Sequence, residues 1–159
     1  MTPLDIAVIT ISTRSAAGER ADESGPLLAH GLREAGHDVV RRAVVGDDVA
    51  QIQAAVRAAI DVGARVVLTT GGTGLTPRDV TPEAVIPLLD KQIPGIAEML
   101  RAVSRDRVPT SVLSRGVAGT IGGALLVTLP GSTGGVRDGL AALLPLLEHI
   151  ADQIGGGDH

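Results

Sequence analysis

The chain has 159 residues, 18 of them acidic and 14 basic, for a net charge of −4. That length suits one domain whose core needs no disulfide or metal staple, and the basic residues are scattered with no cluster beyond Arg41-Arg42, which argues against nucleic acid or a membrane surface as partner. The lack of Cys excludes a disulfide, a thiolate nucleophile and Cys-ligated zinc, and the lack of Phe, Trp and Tyr excludes base stacking on aromatic side chains.

Residues 5–12 are a short run rich in β-branched residues and open the chain as a strand. Its apolar part, residues 6–11, is too short and too uncharged in front to be a secretory signal, so a cytoplasmic protein is expected. A helical pattern over residues 26–35 closes at Gly36, and residues 39–45 give a second strand. Val49, Ile52, Val56, Ala59 and Ile60 recur at spacings of three and four, and Gly63 closes that helix as a C-cap glycine does. Residues 65–70 are the third strand. It runs into the glycine loop 71–74, after which Thr81 as N-cap, Pro82 at the first helical position and Glu83 in the first turn start another helix. Residues 124–129 are the fourth strand. The last helix, from about Val136, carries Leu140, Leu143, Leu144, Leu147, Ile150 and Ile154 on one stripe, with Pro145 expected to kink or divide it. The tail 155–159 is expected to be disordered, which leaves 1–154 as a single domain.

This alternation is βαβαβ. Strands that are apolar through most of their length need cover on both faces, so an α/β architecture with a mostly parallel sheet between helices is expected. Ligands of such sheets sit beyond the carboxyl ends of the strands, where glycines let backbone amides approach an anion at the next helix N-terminus. Gly71, Gly72 and Gly74 fit that role, although GxxxxGK[ST] would need a lysine near Arg78 and no GxGxxG follows the first strand. A structural tight turn is the alternative. The second glycine turn, residues 129–135, contains Pro130, Gly131 and Ser132 and lies on the same sheet edge if the two strands are parallel neighbours; Ser132 could equally cap the last helix.

Asp79 and the pair Asp47-Asp48 lie at strand carboxyl ends just before helices. Carboxylates beside a phosphate site are unfavourable unless a divalent cation lies between them, and hard oxygen ligands with substrate phosphates suit magnesium. Helix capping explains one of the Asp47-Asp48 pair, not both. Ser114-Arg115 could bring a guanidinium to a cleft. There is no GxSxG elbow, and His30, His37, His149 and His159 lack metal-ligand spacing and read as surface histidines.

The motifs TTGGTG and RDVTPEA, with ISTRSAAG near the start, DESGP, LSRG and LPGS, resemble the molybdopterin adenylyltransferases of molybdenum cofactor biosynthesis, the MogA/MoaB type related to the G domain of gephyrin and plant Cnx proteins. The resemblance implies a three-layer α/β/α, Rossmann-like molybdopterin-binding fold, usually a homotrimer, that transfers AMP from ATP to the terminal phosphate of molybdopterin with Mg2+ and releases pyrophosphate. It matches the catalytic and metal-holding acids to Asp47 and Asp79. The substrate contacts it implies are Ser12; Gly71, Gly72, Thr73 and Gly74; Thr76 and Arg78; Thr81, Pro82 and Glu83; Ser114 and Arg115; and Pro130, Gly131 and Ser132. A molybdenum insertion enzyme is the implied downstream partner. Many members carry Asp at the position of Thr13, and a lysine or proline where Thr133-Gly134 stands. Alternatives of other kinds are a carrier that binds molybdopterin without turning over ATP, a nucleotide-derivative hydrolase of the competence-damage type, and a scaffolding module.

Overall fold

The computed structural model describes residues 2–158. Its six-stranded sheet is built from β1 (Asp5–Ile11), β2 (Asp38–Val45), β3 (Val66–Thr70), β4 (Lys91–Gln92), β5 (Ala118–Ile121) and β6 (Ala124–Leu129), in the order β2-β1-β3-β6-β5-β4. β2, β1, β3 and β6 are parallel, whereas β5 runs antiparallel to both β6 and β4. The helices are α1 (Thr13–Ala16), α2 (Ser24–Glu34), α3 (Val49–Asp61), α4 (Thr81–Val85), α5 (Pro94–Val103) and α6 (Thr133–Ile154), with 310 turns at Ile86–Leu88 and Pro109–Leu113.

Alternation along the inner strands sends side chains into two cores, one on each face. Ile6 and Val8 of β1 join Leu28 and Leu32 of α2 and Leu140, Leu143 and Leu147 of α6 on one face. Ala7, Ile9 and Ile11 join Ile52, Val56 and Ala59 of α3 and Ala84 and Val85 of α4 on the other. The result is the α/β/α layering expected, with aliphatic side chains making up the hydrophobic cluster on each face. β2 departs from the continuous burial of its neighbours: it lies at the sheet edge, and its residues alternate between exposed and half-buried.

Several local expectations are corrected. The N-cap of α4 is Val80, not Thr81, because the buried Thr81 hydroxyl donates instead to the Gly71 carbonyl at 2.9 Å. α6 begins at Thr133 rather than near Val136, with the Ser132 hydroxyl accepting from Gly135 N–H, and it continues through Pro145 to Ile154 undivided. His37 is not a surface residue: it is 3% exposed, and its Nδ1 accepts from Leu4 N–H. In the expected tail, the N–H groups of Gly155, Gly156 and Gly157 bond to the carbonyls of Ala151, Gln153 and Asp152; His159 lies outside the described residues. No helix among the described residues is long and apolar enough to cross a membrane.

Candidate active site

The chain passes from β1 to β2 on one side and then to β3 on the other, so the strand order reverses between β1 and β3. Their carboxyl ends open the crevice where sheets of this kind take ligands. Ser12 and Thr13 follow β1, and the glycine loop follows β3. The loop after β6 joins them because β3 and β6 are parallel neighbours. Gly71 N–H donates to the Leu129 carbonyl at 3.0 Å, the Thr70 hydroxyl donates to the Pro130 carbonyl at 2.8 Å, and a Cβ on Gly131 would stand 3.4 Å from Gly71 Cα. The two glycine turns therefore form one floor.

Two clefts open from that floor. One, of about 770 Å³, is walled mainly by α5, the 104–116 segment and the start of α6. The other, of about 550 Å³, is polar and is walled by the end of β1, α1, residues 20–24 and Asp47. Gly72, Asp79, Gly131 and Ser132 line both. The amino end of the 22-residue α6 also borders both, through Thr133 on one side and Gly134 on the other, so its positive dipole end, with the Gly135 N–H already taken by the Ser132 hydroxyl, lies where the clefts meet.

The two acids are held by one-sided hydrogen bonding. Asp47 Oδ2 accepts from Thr13 N–H at 3.0 Å and from the Thr13 hydroxyl at 2.8 Å, and a Cβ on Gly72 would lie 3.5 Å from Asp47 Oδ1. Asp79 Oδ2 accepts from Thr76 N–H at 3.0 Å and from the Thr76 hydroxyl at 2.8 Å. In each case one carboxylate oxygen is tied back. Asp48 is the N-cap of α3, accepting from Gln51 N–H at 2.9 Å, which assigns the capping role within the pair to Asp48.

Of the residues the resemblance pointed to, Ser12, Asp47, Gly71 and Gly72 reach the polar cleft. Thr73, Gly74, Ser114, Pro130 and Ser132 reach the larger one. Thr76, Arg78, Thr81, Pro82, Glu83 and Arg115 line neither. Arg115 instead brackets the loop: its Nε donates to the Gly74 carbonyl at 2.8 Å, its Nη2 to the Asp79 carbonyl at 2.9 Å, its Nη1 and Nη2 to the Glu83 carboxylate, and its N–H to the Thr73 carbonyl at 2.8 Å. Asp22, within the DESGP motif, and Thr13, noted only where the chain departs from the family pattern, were not among the expected site residues. Asp22 lines the polar cleft, with its carboxylate bonded to the Thr10 hydroxyl, Gly25 N–H and Arg42. An acid three residues ahead of a helical N–H was the signal available for it.

The bond from Arg115 holds the Glu83 carboxyl below its ordinary value of 4.5, against a smaller upward push from desolvation. A carboxyl lowered on folding contributes stability that is complete above its ordinary pKa and is lost as pH falls through the lowered one. The melting temperature of Glu83→Gln should therefore lie below that of wild type above pH 4.5 and converge with it as the pH is lowered further. The gap should be small, since the Glu83 side chain is 51% exposed, and one that stays constant across that range would show that it does not come from the carboxylate's charge.

The glycines of the floor have different duties. Gly71 and Gly72 have φ of +101° and +70°, and a Cβ would stand 2.3 Å from the Ile11 carbonyl oxygen and 2.2 Å from Thr81 Oγ1 respectively. Gly74 is not in that conformation, and its Cβ would meet only the tip of Asp79, at 2.8 Å. Gly72→Ala should therefore destabilise the fold by about 1–3 kcal/mol, whereas Gly74→Ala should keep the melting temperature and lower activity by displacing the Asp79 carboxylate. Equal melting losses in the two variants would contradict this division.

A model of the probable molybdopterin binding domain matches residues 7–149. The chain belongs to this family. A molybdenum cofactor biosynthesis protein B from Bacillus cereus is 47% identical over 154 residues, covering 92% of this chain and 88% of that protein. A molybdopterin adenylyltransferase from Pyrococcus furiosus is 42% identical over 148 residues, covering 90% and 86%. The crystal structure of a molybdopterin biosynthesis protein from Mycobacterium abscessus superposes with a TM-score of 0.91 at 44% identity, covering 96% of this chain and 97% of that one. The chain spans about half the length of the bifunctional molybdenum cofactor biosynthesis proteins it also matches, 48% and 49%.

Proposed function

We propose that this family member is a molybdopterin adenylyltransferase of molybdenum cofactor biosynthesis, moving AMP from ATP to the terminal phosphate of molybdopterin. The observation that carries this reading is the pair of clefts meeting over one floor of Gly72, Asp79, Gly131 and Ser132, which suits two substrates brought end to end. The Pyrococcus furiosus relative named for this activity supports it. An oxygen of the molybdopterin phosphate attacks the α-phosphorus of ATP, the bond from that phosphorus to the bridging oxygen breaks, and pyrophosphate leaves with the bonding electron pair. The attacking phosphate is largely a dianion at neutral pH, its second pKa being about 6, so no protein nucleophile and no general base are required. The protein's part is positioning and charge stabilisation. The first N–H groups of α6 face the phosphates, and the loop after β3 holds the nucleotide and pterin phosphates in line.

The donor set fits magnesium. No cluster of three or more His, Asp or Glu exists among the described residues, but Asp47 and Asp79 each have one oxygen outside the hydrogen bonds to Thr13 and Thr76. Magnesium takes one or two carboxylates with substrate phosphates and water for the rest. Bound there, it would neutralise charge on the phosphates of ATP. A homotrimer, a cytoplasmic location and hand-over to a molybdenum insertion enzyme complete the proposal, on the strength of the family resemblance.

Pyrophosphate release should require protein, ATP, molybdopterin and magnesium together. Pyrophosphate formed in EDTA, or ATP hydrolysed as fast without the pterin, would rule this reading out. Molybdopterin bound tightly with ATP left intact would make the chain a carrier.

A further inference from the structure

Asp47 and Thr13 come from separate strand ends, 34 positions apart, and bond to each other three times. Thr13 N–H and the Thr13 hydroxyl both donate to Asp47 Oδ2, at 3.0 and 2.8 Å, while Asp47 N–H donates to the same hydroxyl at 3.0 Å. The single hydroxyl thus acts as acceptor for the backbone and donor to the side chain of one residue, which fixes both ends of the Asp47 side chain. Among the described residues the carboxylate has no other hydrogen bond: it is half-buried, and its remaining oxygen is the one nearest Gly72 on the cleft floor. A free aspartate side chain at this position would rotate among its staggered rotamers, only some of which aim an oxygen at Gly72.

We infer that Thr13 is a positioning residue, whose hydroxyl holds Asp47 so that a single carboxylate oxygen, Oδ1, is presented to a divalent cation travelling with the nucleotide. The inference rests on the adenylyl-transfer reading for its substrate and on the three hydrogen bonds for its geometry. It makes Thr13 part of the metal's outer shell and not a substrate contact. Removing the hydroxyl leaves the carboxylate held by the backbone N–H of residue 13 alone, free to turn about that one bond. The cation then meets a mobile ligand, and both its affinity and the rate that depends on it fall together.

The test compares wild type, Thr13→Val, Thr13→Ser and Asp47→Asn. Val keeps the shape and the N–H donor and lacks the hydroxyl; Ser restores the hydroxyl. Mn2+ binding is measured in the presence of α,β-methylene-ATP by loss of the free-ion electron paramagnetic resonance signal, against the same nucleotide without protein. Adenylylation kinetics and melting temperature are measured alongside. Thr13→Val should weaken Mn2+ binding and lower kcat by about tenfold each, the usual scale for an outer-shell partner. KM for molybdopterin should not move, and Thr13→Ser should recover most of both losses. Added to Asp47→Asn, Thr13→Val should cause little further loss, since both act through one carboxylate. The inference is overturned if Thr13→Val binds Mn2+ as wild type does, if Thr13→Ser is as impaired as Thr13→Val, or if wild type binds no Mn2+. If wild type makes no adenylylated pterin while the Mn2+ contrast between Val and Ser persists, the transferase reading fails and the placement of Asp47 by Thr13 is upheld.

Discussion

Asp47→Asn is expected to lower adenylyl transfer by about 10²-fold, the scale of one transition-state electrostatic contact, with little change in melting temperature. The physical reason lies in the hydrogen bonds. Thr13 supplies two donors to one carboxylate oxygen, so an asparagine at 47 keeps its carbonyl oxygen towards Thr13 and turns its amide nitrogen to the cleft. The fold keeps its bonds, but a donor then stands where, in the proposed reaction, an anionic oxygen faces the nucleotide's cation. Asp48→Ala should behave in the opposite way. It removes the side-chain cap on Gln51 N–H, which costs about 1 kcal/mol, or a melting shift of about 2–4 °C for a chain of this size, with most activity kept. Asp79→Asn should follow Asp47→Asn in rate. Turnover lost on Asp48→Ala with Asp47→Asn near wild type would reverse the assignment of the two neighbours.

Arg115→Lys carries the second large expectation. Two side-chain bonds run to the carbonyls of Gly74 and Asp79, at the two ends of the stretch that presents Asp79, and a lysine cannot make both while also meeting Glu83. Each neutral-acceptor bond is worth about 1 kcal/mol, so a loss of about 1–2 kcal/mol is expected, depending on whether the lysine keeps one of the two. The pair with Glu83 adds little, because that carboxylate is 51% exposed. The larger consequence is kinetic: with the loop ends released, the Asp79 carboxylate is no longer held to better than an ångström, and kcat should fall about tenfold or more. KM for both substrates should change less, since Arg115 lines neither cleft. A variant with unchanged kcat and a large rise in KM would instead make Arg115 a substrate contact.

The four parallel strands were legible because each is a β-branched run between turn formers, α2 because its helical pattern closes at Gly36, and α3 because its apolar spacing agrees with the closing Gly63, whereas the single turn of α1 was not expected. In the stretch 86–123 the sequence yields the LSRG motif with Ser114 and Arg115 but no strand or helix. β4 is two exposed residues, and β5, Ala118–Ile121, is half glycine and alanine; β5 is a strand only because β6 offers an edge to pair with, and β4 only because β5 offers the next. α5 did carry a signal, a proline at its first position and Ile96, Ala97 and Leu100 on one side. The floor of the site was legible from its motifs, since paired glycine turns after neighbouring parallel strands must share a sheet edge. Its supports were not. Thr13 with Asp47, Arg115 with Gly74, and Asp22 with Arg42 are 34, 41 and 20 positions apart, and they meet through the strand order β2-β1-β3-β6 and the loops it brings together, which no local pattern encodes. Thr81 shows the same limit at short range: its place before Pro82 looks like a cap, but the tight turn at Gly72 brings the Gly71 carbonyl within reach and takes the hydroxyl.

The central claim, that the two clefts hold two substrates in position for adenylyl transfer, is tested most directly by identifying the product. Purified protein is incubated with molybdopterin, magnesium and ATP labelled in its α-phosphate, and the pterin is recovered and analysed by mass spectrometry. The account predicts a pterin carrying the label as AMP joined to its terminal phosphate, in equal amount to the pyrophosphate released. Label recovered as free AMP or unchanged ATP, with the pterin bound and unmodified, would contradict it.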